Sequence, residues 1–198
     1  MNQSQFFWGG GGAASYSIDR SLRFNDGDDV SLSRTFSTST NHRKSTVSFW
    51  VKRGSVGTSV GTVFQGGIDS ATSAGNVAGF RFRADDAISI YDYQSGYALY
   101  LITTPVFRDP TAWYHIVFAI DTTQSTPANR NKLYVNGEQI TSFSTQTNYG
   151  SNDNPKFNSS NNTHVIGQWL DVNNQNLYYF DGYLTEFNFV DGQQLTRS

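Results

Sequence analysis

The stretch Phe180-Asp181-Gly182-Tyr183-Leu184-Thr185-Glu186-Phe187-Asn188-Phe189-Val190-Asp191-Gly192 decides how the chain is read. Two Asp-Gly pairs, which supply positive-φ turn positions at low steric cost, bracket eight residues that alternate if extended. Tyr183, Thr185, Phe187 and Phe189 then share one face, and Leu184, Glu186, Asn188 and Val190 the other, because strand side chains reverse with period two. A face this aromatic must be covered. The cover it predicts is a second sheet.

Working outward, the other segments supply that sheet. Val47, Phe49 and Val51 alternate within Thr46–Lys52. Ala78 to Tyr93 reads as a hairpin in which Phe80 and Phe82 alternate with Arg81 and Arg83, Asp85-Asp86 turns, and Ile88 and Ile90 return on the same face. Trp113 to Ile120 is apolar on both faces and belongs mid-sheet. Asn136-Gly137 between β-type arms is the strongest short-range hairpin signal. Helical periodicity appears nowhere, so the expected fold is all-β, a two-sheet antiparallel jelly-roll sandwich. Phe49, Trp50, Ile116, Phe118, Val135, Phe187 and Phe189 are its expected core.

Composition agrees. Aromatics make up 15% of the 198 residues and glycine occurs 18 times, the profile of strands and turns. Charged residues are also only 15%, so Ser, Thr, Asn and Gln must build the surface. The net charge of −2 recruits neither nucleic acid nor an anionic membrane. Residues 1–53 carry seven basic against four acidic side chains, and residues 54–198 seven against twelve. There is no cysteine, which removes disulfides, thiol catalysis and zinc–thiolate sites together. Apolar runs are strand-sized, and no transmembrane helix or secretory leader is read.

Two units are expected: an anchor segment over residues 1–14 and a sandwich domain over 15–198. In the first, Phe6, Phe7 and Trp8 precede Gly9 to Gly12, a flexible hinge. Such a cluster either folds back on its own domain or fills a pocket on a neighbour, including another copy of the chain.

The order of several signatures resembles the concanavalin A-like lectin/glucanase superfamily and its laminin G-like branch. They are Leu22-Arg23-Phe24, Phe49-Trp50-Val51-Lys52, Trp113-Tyr114-His115-Ile116-Val117, Leu133-Tyr134-Val135-Asn136-Gly137, Ile166-Gly167 and Phe180-Asp181-Gly182-Tyr183-Leu184-Thr185-Glu186. Thr185 stands where that pattern often has Asp. Tyr16 to Asn25, Trp50-Val51-Lys52-Arg53, Phe180 to Glu186 and Val190 to Thr196 also look like laminin G-like modules in structural proteins of marine tailed phages. That resemblance implies a virion component (fibre, appendage or capsid surface) contacting other virion proteins and attaching to a host surface.

Catalysis of the glucanase kind needs two close carboxylates. The only glutamates are Glu138 and Glu186, and neither has a second acid in a compact cluster, so no enzyme and no catalytic residue is expected. No cofactor is expected either; the one metal to weigh is calcium, for which Asp26, Asp28 and Asp29 offer three carboxylates. Glycan binding has better material. Sugars are held by aromatic faces and by amide or carboxylate groups on their hydroxyls, and Tyr149, Trp169, Asp171, Asn173, Tyr178 and Tyr179 provide that chemistry in loops 141–163 and 169–179. Tyr91, Tyr93 and Tyr97 add to it.

Overall fold

The computed structural model describes residues 19–57, 60–68, 76–170 and 176–195. In chain order the strands are β1 (Leu22–Phe24), β2 (Leu32–Thr35), β3 (Lys44–Arg53), β4 (Gly61–Ile68) and β5 (Asn76–Phe82). They continue as β6 (Ala87–Gln94), β7 (Tyr97–Val106), β8 (Tyr114–Asp121), β9 (Asn131–Val135) and β10 (Glu138–Ile140). The last are β11 (Phe143–Thr147), β12 (Thr163–Ile166), β13 (Trp169–Leu170), β14 (Asn176–Leu177) and β15 (Gly182–Asp191).

Two antiparallel sheets form the expected sandwich. One runs β1-β15-β3-β8-β9-β10, the other β11-β7-β6-β5-β4-β12-β2, and β13-β14 is a small separate hairpin. Phe49, Ile116, Phe118 and Leu133 from the first sheet meet Phe64, Phe80, Ile88, Ile90 and Leu101 from the second. The Asn136-Gly137 hairpin forms as read, with φ of 51° and 81°, the positive pair of a tight two-residue connection.

The decisive strand β15 is present but does not alternate strictly. Thr185 pairs with Trp50 and Asn188 with Ser48, so Glu186 and Phe187 together oppose Phe49. This is a β-bulge, with Glu186 at φ 51°. The extra residue reverses the parity: Leu184 is buried with Phe187 and Phe189 on the inner side, while Tyr183 faces out. Phe187 and Phe189 pack against the core as expected but are only partly buried, because the described residues leave this edge of the sandwich uncovered. Trp50 is likewise half-buried; it lies on the outer face, stacked on His115 at 4.8 Å. At the start of β15, Gly182 has φ 153°, and a Cβ there would lie 2.2 Å from the Lys52 carbonyl oxygen. Only glycine lets the two strands close at that point.

Loop 141–163, expected to carry recognition, is part of the structure instead. It contributes β11, and Tyr149 and Phe157 are core residues. Asp92, inward and buried, accepts hydrogen bonds from the Tyr149 hydroxyl (2.8 Å), the Lys156 amide (2.7 Å) and Gln94 (2.9 Å). One carboxylate therefore pins the loop under the sheet. Phe157 then stacks on Phe64 at 5.9 Å.

Asp191 ties the other end. It accepts hydrogen bonds from Ser39, from the Thr40 and Asn41 amides and from Asn158 (2.8 Å). Burial alone would raise its pKa, but the bonds from Thr40, Asn158 and Asn41 outweigh burial and hold it at about 2. A depressed carboxylate stabilises the fold above its unfolded pKa of 3.8 and loses that contribution as pH falls through about 2. Acid unfolding of the wild type should therefore show a stability loss between about pH 4 and 2 that Asp191→Asn flattens, measured by denaturant melts across that range. Equal pH slopes for both proteins would refute this role.

Candidate functional site

The outer face of the seven-stranded sheet gathers the aromatic and basic residues. Alternation that sends Phe80, Phe82, Ile88 and Ile90 inward sends Arg81, Ser89, Tyr91 and Tyr93 outward. Across the strands, Thr62 faces Arg81, which faces Ser89; in the next row Gly79 faces Tyr91, which faces Tyr100. Tyr93 meets Tyr97 edge-on at 5.2 Å, and Tyr97 stacks on Tyr100 at 4.4 Å. Gly79 has a steric task here, since a Cβ at this position would lie 2.3 Å from the Tyr91 hydroxyl. Its absence lets the Tyr91 ring lie down on β5.

A chain excursion forms the wall beside this platform. Where β12 ends, the Gly167 amide bonds Val63, and the Phe180 amide bonds back to Gly167 at 2.8 Å. The chain thus leaves the sheet at Gly167 and returns at Phe180. Between these points the Trp169 ring packs on Tyr91 at 5.5 Å, and the Tyr178 carbonyl accepts from the Thr62 amide at 3.0 Å, extending the ladder of β4. Tyr178, 50% exposed, lines a depression of about 350 Å³ together with Val60, Arg81, Arg83, Ala84 and Asp85.

The electrostatics of the face favour hydrogen-bond acceptors. Arg83 forms an ion pair with Asp85 at 3.0 Å. Arg81 has no carboxylate partner among the described residues; its guanidinium lies over the Tyr91 ring at 4.9 Å. Thr62 Oγ1, Arg81 Nε, Ser89 Oγ and Tyr91 OH are buried and have no hydrogen-bond partner. Burial raises the Tyr91 pKa strongly, against a smaller opposing pull from Arg81, so the phenol keeps its proton. Each buried polar group left unpaired costs about 1–3 kcal/mol, and with Thr62 and Ser89 at 0% exposure these groups lie beneath the surface, within reach of a buried water but not of a surface ligand.

The sequence-derived candidates divide accordingly. Trp169 and Tyr178 lie at this face, with Tyr91, Tyr93 and Tyr97, whereas the Tyr179 hydroxyl is buried. Tyr149 does not: at 0% exposure, bonded to Asp92, it is a core residue that no ligand reaches. Its Asn-rich flank suggested an exposed loop, and only the buried Asp92 partner removes it. Asp171 and Asn173 lie outside the described residues, as do Phe6, Phe7 and Trp8. Arg81, Arg83, Ser89 and Tyr100 were not among the candidates, although the alternation of Arg81 and Arg83 with phenylalanines already placed both on one solvent face. Asp26, Asp28 and Asp29 occupy a 3-10 turn, where Asp28 accepts from Asn25 at 2.7 Å. Among the described residues no three acidic or histidine groups converge to hold a metal ion. Glu138 on β10 and Glu186 on β15 are four strand spacings apart, about 19 Å at ~4.8 Å each, which rules them out as a glycosidase pair.

Fold and face together define a lectin-type two-sheet module with an aromatic, arginine-bearing outer surface. The chain belongs to the concanavalin A-like lectin/glucanase superfamily, whose laminin G family model matches residues 5–197. No curated protein sequence matches it. Among solved structures it is similar to the heptameric pentraxin of Limulus polyphemus (18% identity, TM-score 0.59, covering 89% of this chain and 76% of that one). A second is the carbohydrate-binding module CBM40 of the Ruminococcus gnavus IT-sialidase bound to α2,3-sialyllactose (11%, 0.56, covering 86% and 94%). A third is the NanB sialidase of Streptococcus pneumoniae (13%, 0.63, covering 88% of this chain and 26% of the enzyme). At these identities the likeness speaks for the fold.

Proposed function

We propose that this protein is a non-enzymatic glycan-binding module that receives its saccharide on the outer face of the seven-stranded sheet. The observation that carries the reading is the coincidence, on one face, of ring surfaces (Trp169, Tyr97, Tyr100, Tyr178) with Arg81, which has no carboxylate partner among the described residues. Rings stack on the apolar side of a sugar, and the polar groups bond its hydroxyls. Arg81 and Arg83 favour a saccharide bearing a carboxylate or sulfate, because a guanidinium bonds such groups more strongly than neutral ones. The similarity to a carbohydrate-binding module seen with an acidic trisaccharide supports the same reading.

We further propose that the module acts as a structural component of a phage virion, as a homo-oligomer among other virion proteins, and attaches the particle to a host surface polysaccharide. The support is the resemblance of Tyr16–Asn25, Trp50–Arg53, Phe180–Glu186 and Val190–Thr196 to phage laminin G-like modules. Immunolabelling of purified particles tests this part. Particles without label would remove the virion role and leave the glycan face standing.

The glycan reading is tested on an array of neutral and acidic polysaccharides, with Tyr178→Ala and Arg81→Gln beside the wild type. Tyr178 is exposed, so its removal should leave the melting temperature nearly unchanged while weakening binding about tenfold, or ~1.4 kcal/mol. Arg81→Gln should abolish any preference for acidic over neutral glycans. No binding to any glycan, or equal binding by the wild type and Tyr178→Ala, would overturn the assignment.

A further inference from the structure

The half-buried Phe187 and Phe189 point to a second surface. At the edge where β1, β15 and β2 meet, a depression of about 300 Å³ is lined by Leu22, Phe24, Leu32, Ile166, Leu184 and Phe187. A neighbouring one of about 250 Å³ shares Leu32, Ile166 and Phe187 and adds Phe36, Phe64 and Phe189. Together they form an apolar trough along β2 between the two sheets. Leu22 is 56% and Leu32 47% exposed on its walls. This is core surface that the described residues do not cover.

We propose that the trough is the seat of Phe6, Phe7 and Trp8 of the same chain. Three observations converge on that occupant. The described chain enters at the rim: Arg20 and Ser21 line the depression, and the Arg20 carbonyl accepts from the Thr185 hydroxyl at 2.8 Å. The eleven residues 9–19 can span up to about 36–40 Å, longer than a ten-residue strand, so the rings reach any point of the trough. Gly9 to Gly12 let the chain reverse. The superfamily match, moreover, begins at residue 5 and so takes in the three rings as part of the module. Each ring can bury about 150–250 Å², and an aromatic floor of Phe187 and Phe189 offers them edge and face contacts. The segment then closes the core of its own domain.

Trp8 reports on this directly. Its emission, isolated as the difference between the full chain and Trp8→Phe, is expected to be blue-shifted and several-fold less quenched by acrylamide than in a full chain carrying Leu32→Arg. Leu32 is exposed, so that arginine can be solvated without unfolding the domain. Deletion of residues 1–12 and Leu32→Arg should each lower Tm, and the double variant should lose no more than the larger single loss. Light scattering should give the same protomer count with and without residues 1–12. Trp8 quenched equally in both chains, or additive Tm losses, would overturn the proposal. So would an oligomer that dissociates on deletion, because the rings would then seat in a neighbouring copy.

Discussion

Exchanging Asp86 for alanine is expected to lower the unfolding free energy by about 3–5 kcal/mol, the usual cost of stranding one buried charge. The charge stranded is Arg53, 3% exposed, whose Nη1 donates to Asp86 Oδ1 at 2.9 Å and to the Phe107 carbonyl at 2.6 Å. Its guanidinium lies over the Phe82 ring at 4.7 Å. The same Asp86 oxygen accepts from the Gly57 amide at 2.7 Å, and Arg108 approaches its partner oxygen at 3.7 Å. The end of β3, the β5–β6 turn and the chain after β7 therefore meet at one carboxylate. Urea melts should show a lower midpoint with an unchanged slope. The contrasting pair Arg83–Asp85 is partly exposed on Arg83 and exposed on Asp85, and Asp85→Ala should cost about 1 kcal/mol or less. If the two alanine variants are equally stable, Asp86 is not the tie described.

Phe49→Ala should cost about 3–5 kcal/mol by the loss of transfer energy plus the cavity left behind. Phe49 is fully buried at the centre of the six-stranded sheet, edge-on to Phe80 at 5.3 Å and stacked on Phe187 at 5.4 Å. It thus bridges the two sheets. Phe187 is only partly buried and lies at the margin of the core, so it should cost less. Thermal and chemical melts of both variants provide the comparison. A Phe187→Ala loss equal to or above that of Phe49→Ala would place the centre of the core elsewhere.

The contrast between those two phenylalanines shows where sequence reading succeeds and where it stops. Phe80, Phe82, Ile88 and Ile90 share a face as alternation requires, and Asn136-Gly137 turns as its positive-φ preference requires. Those are local rules, and local residues satisfy them. In β15 the period is equally local, yet one bulged residue reverses it, and nothing in the run marks Glu186 as the residue that takes φ 51°. The partner strand decides that. The candidate site divides along the same line. Trp169 and Tyr178 stay at the surface, but Tyr149 is drawn into the core by Asp92, 57 positions away. Arg81 and Arg83 were legible as outward-facing, whereas the wall beside them depends on the return of Tyr178 to β4.

The neck at Gly167 and Phe180 separates recognition from scaffold. Because the Phe180 amide bonds back to the Gly167 carbonyl, the chain leaves and re-enters the sandwich at one point, and beyond that neck the described residues touch the sheet through Trp169 on Tyr91 and the Tyr178 carbonyl on the Thr62 amide. For a flexible loop, each doubling of length costs only about 0.6 kcal/mol. The segment can therefore behave as an interchangeable cassette. Exchanges between those two contacts would leave the strand ladder that presents Arg81 and Arg83 as it is. The neck glycine itself cannot be exchanged in this way, since it is held at φ 93° with Phe24 where a Cβ would lie.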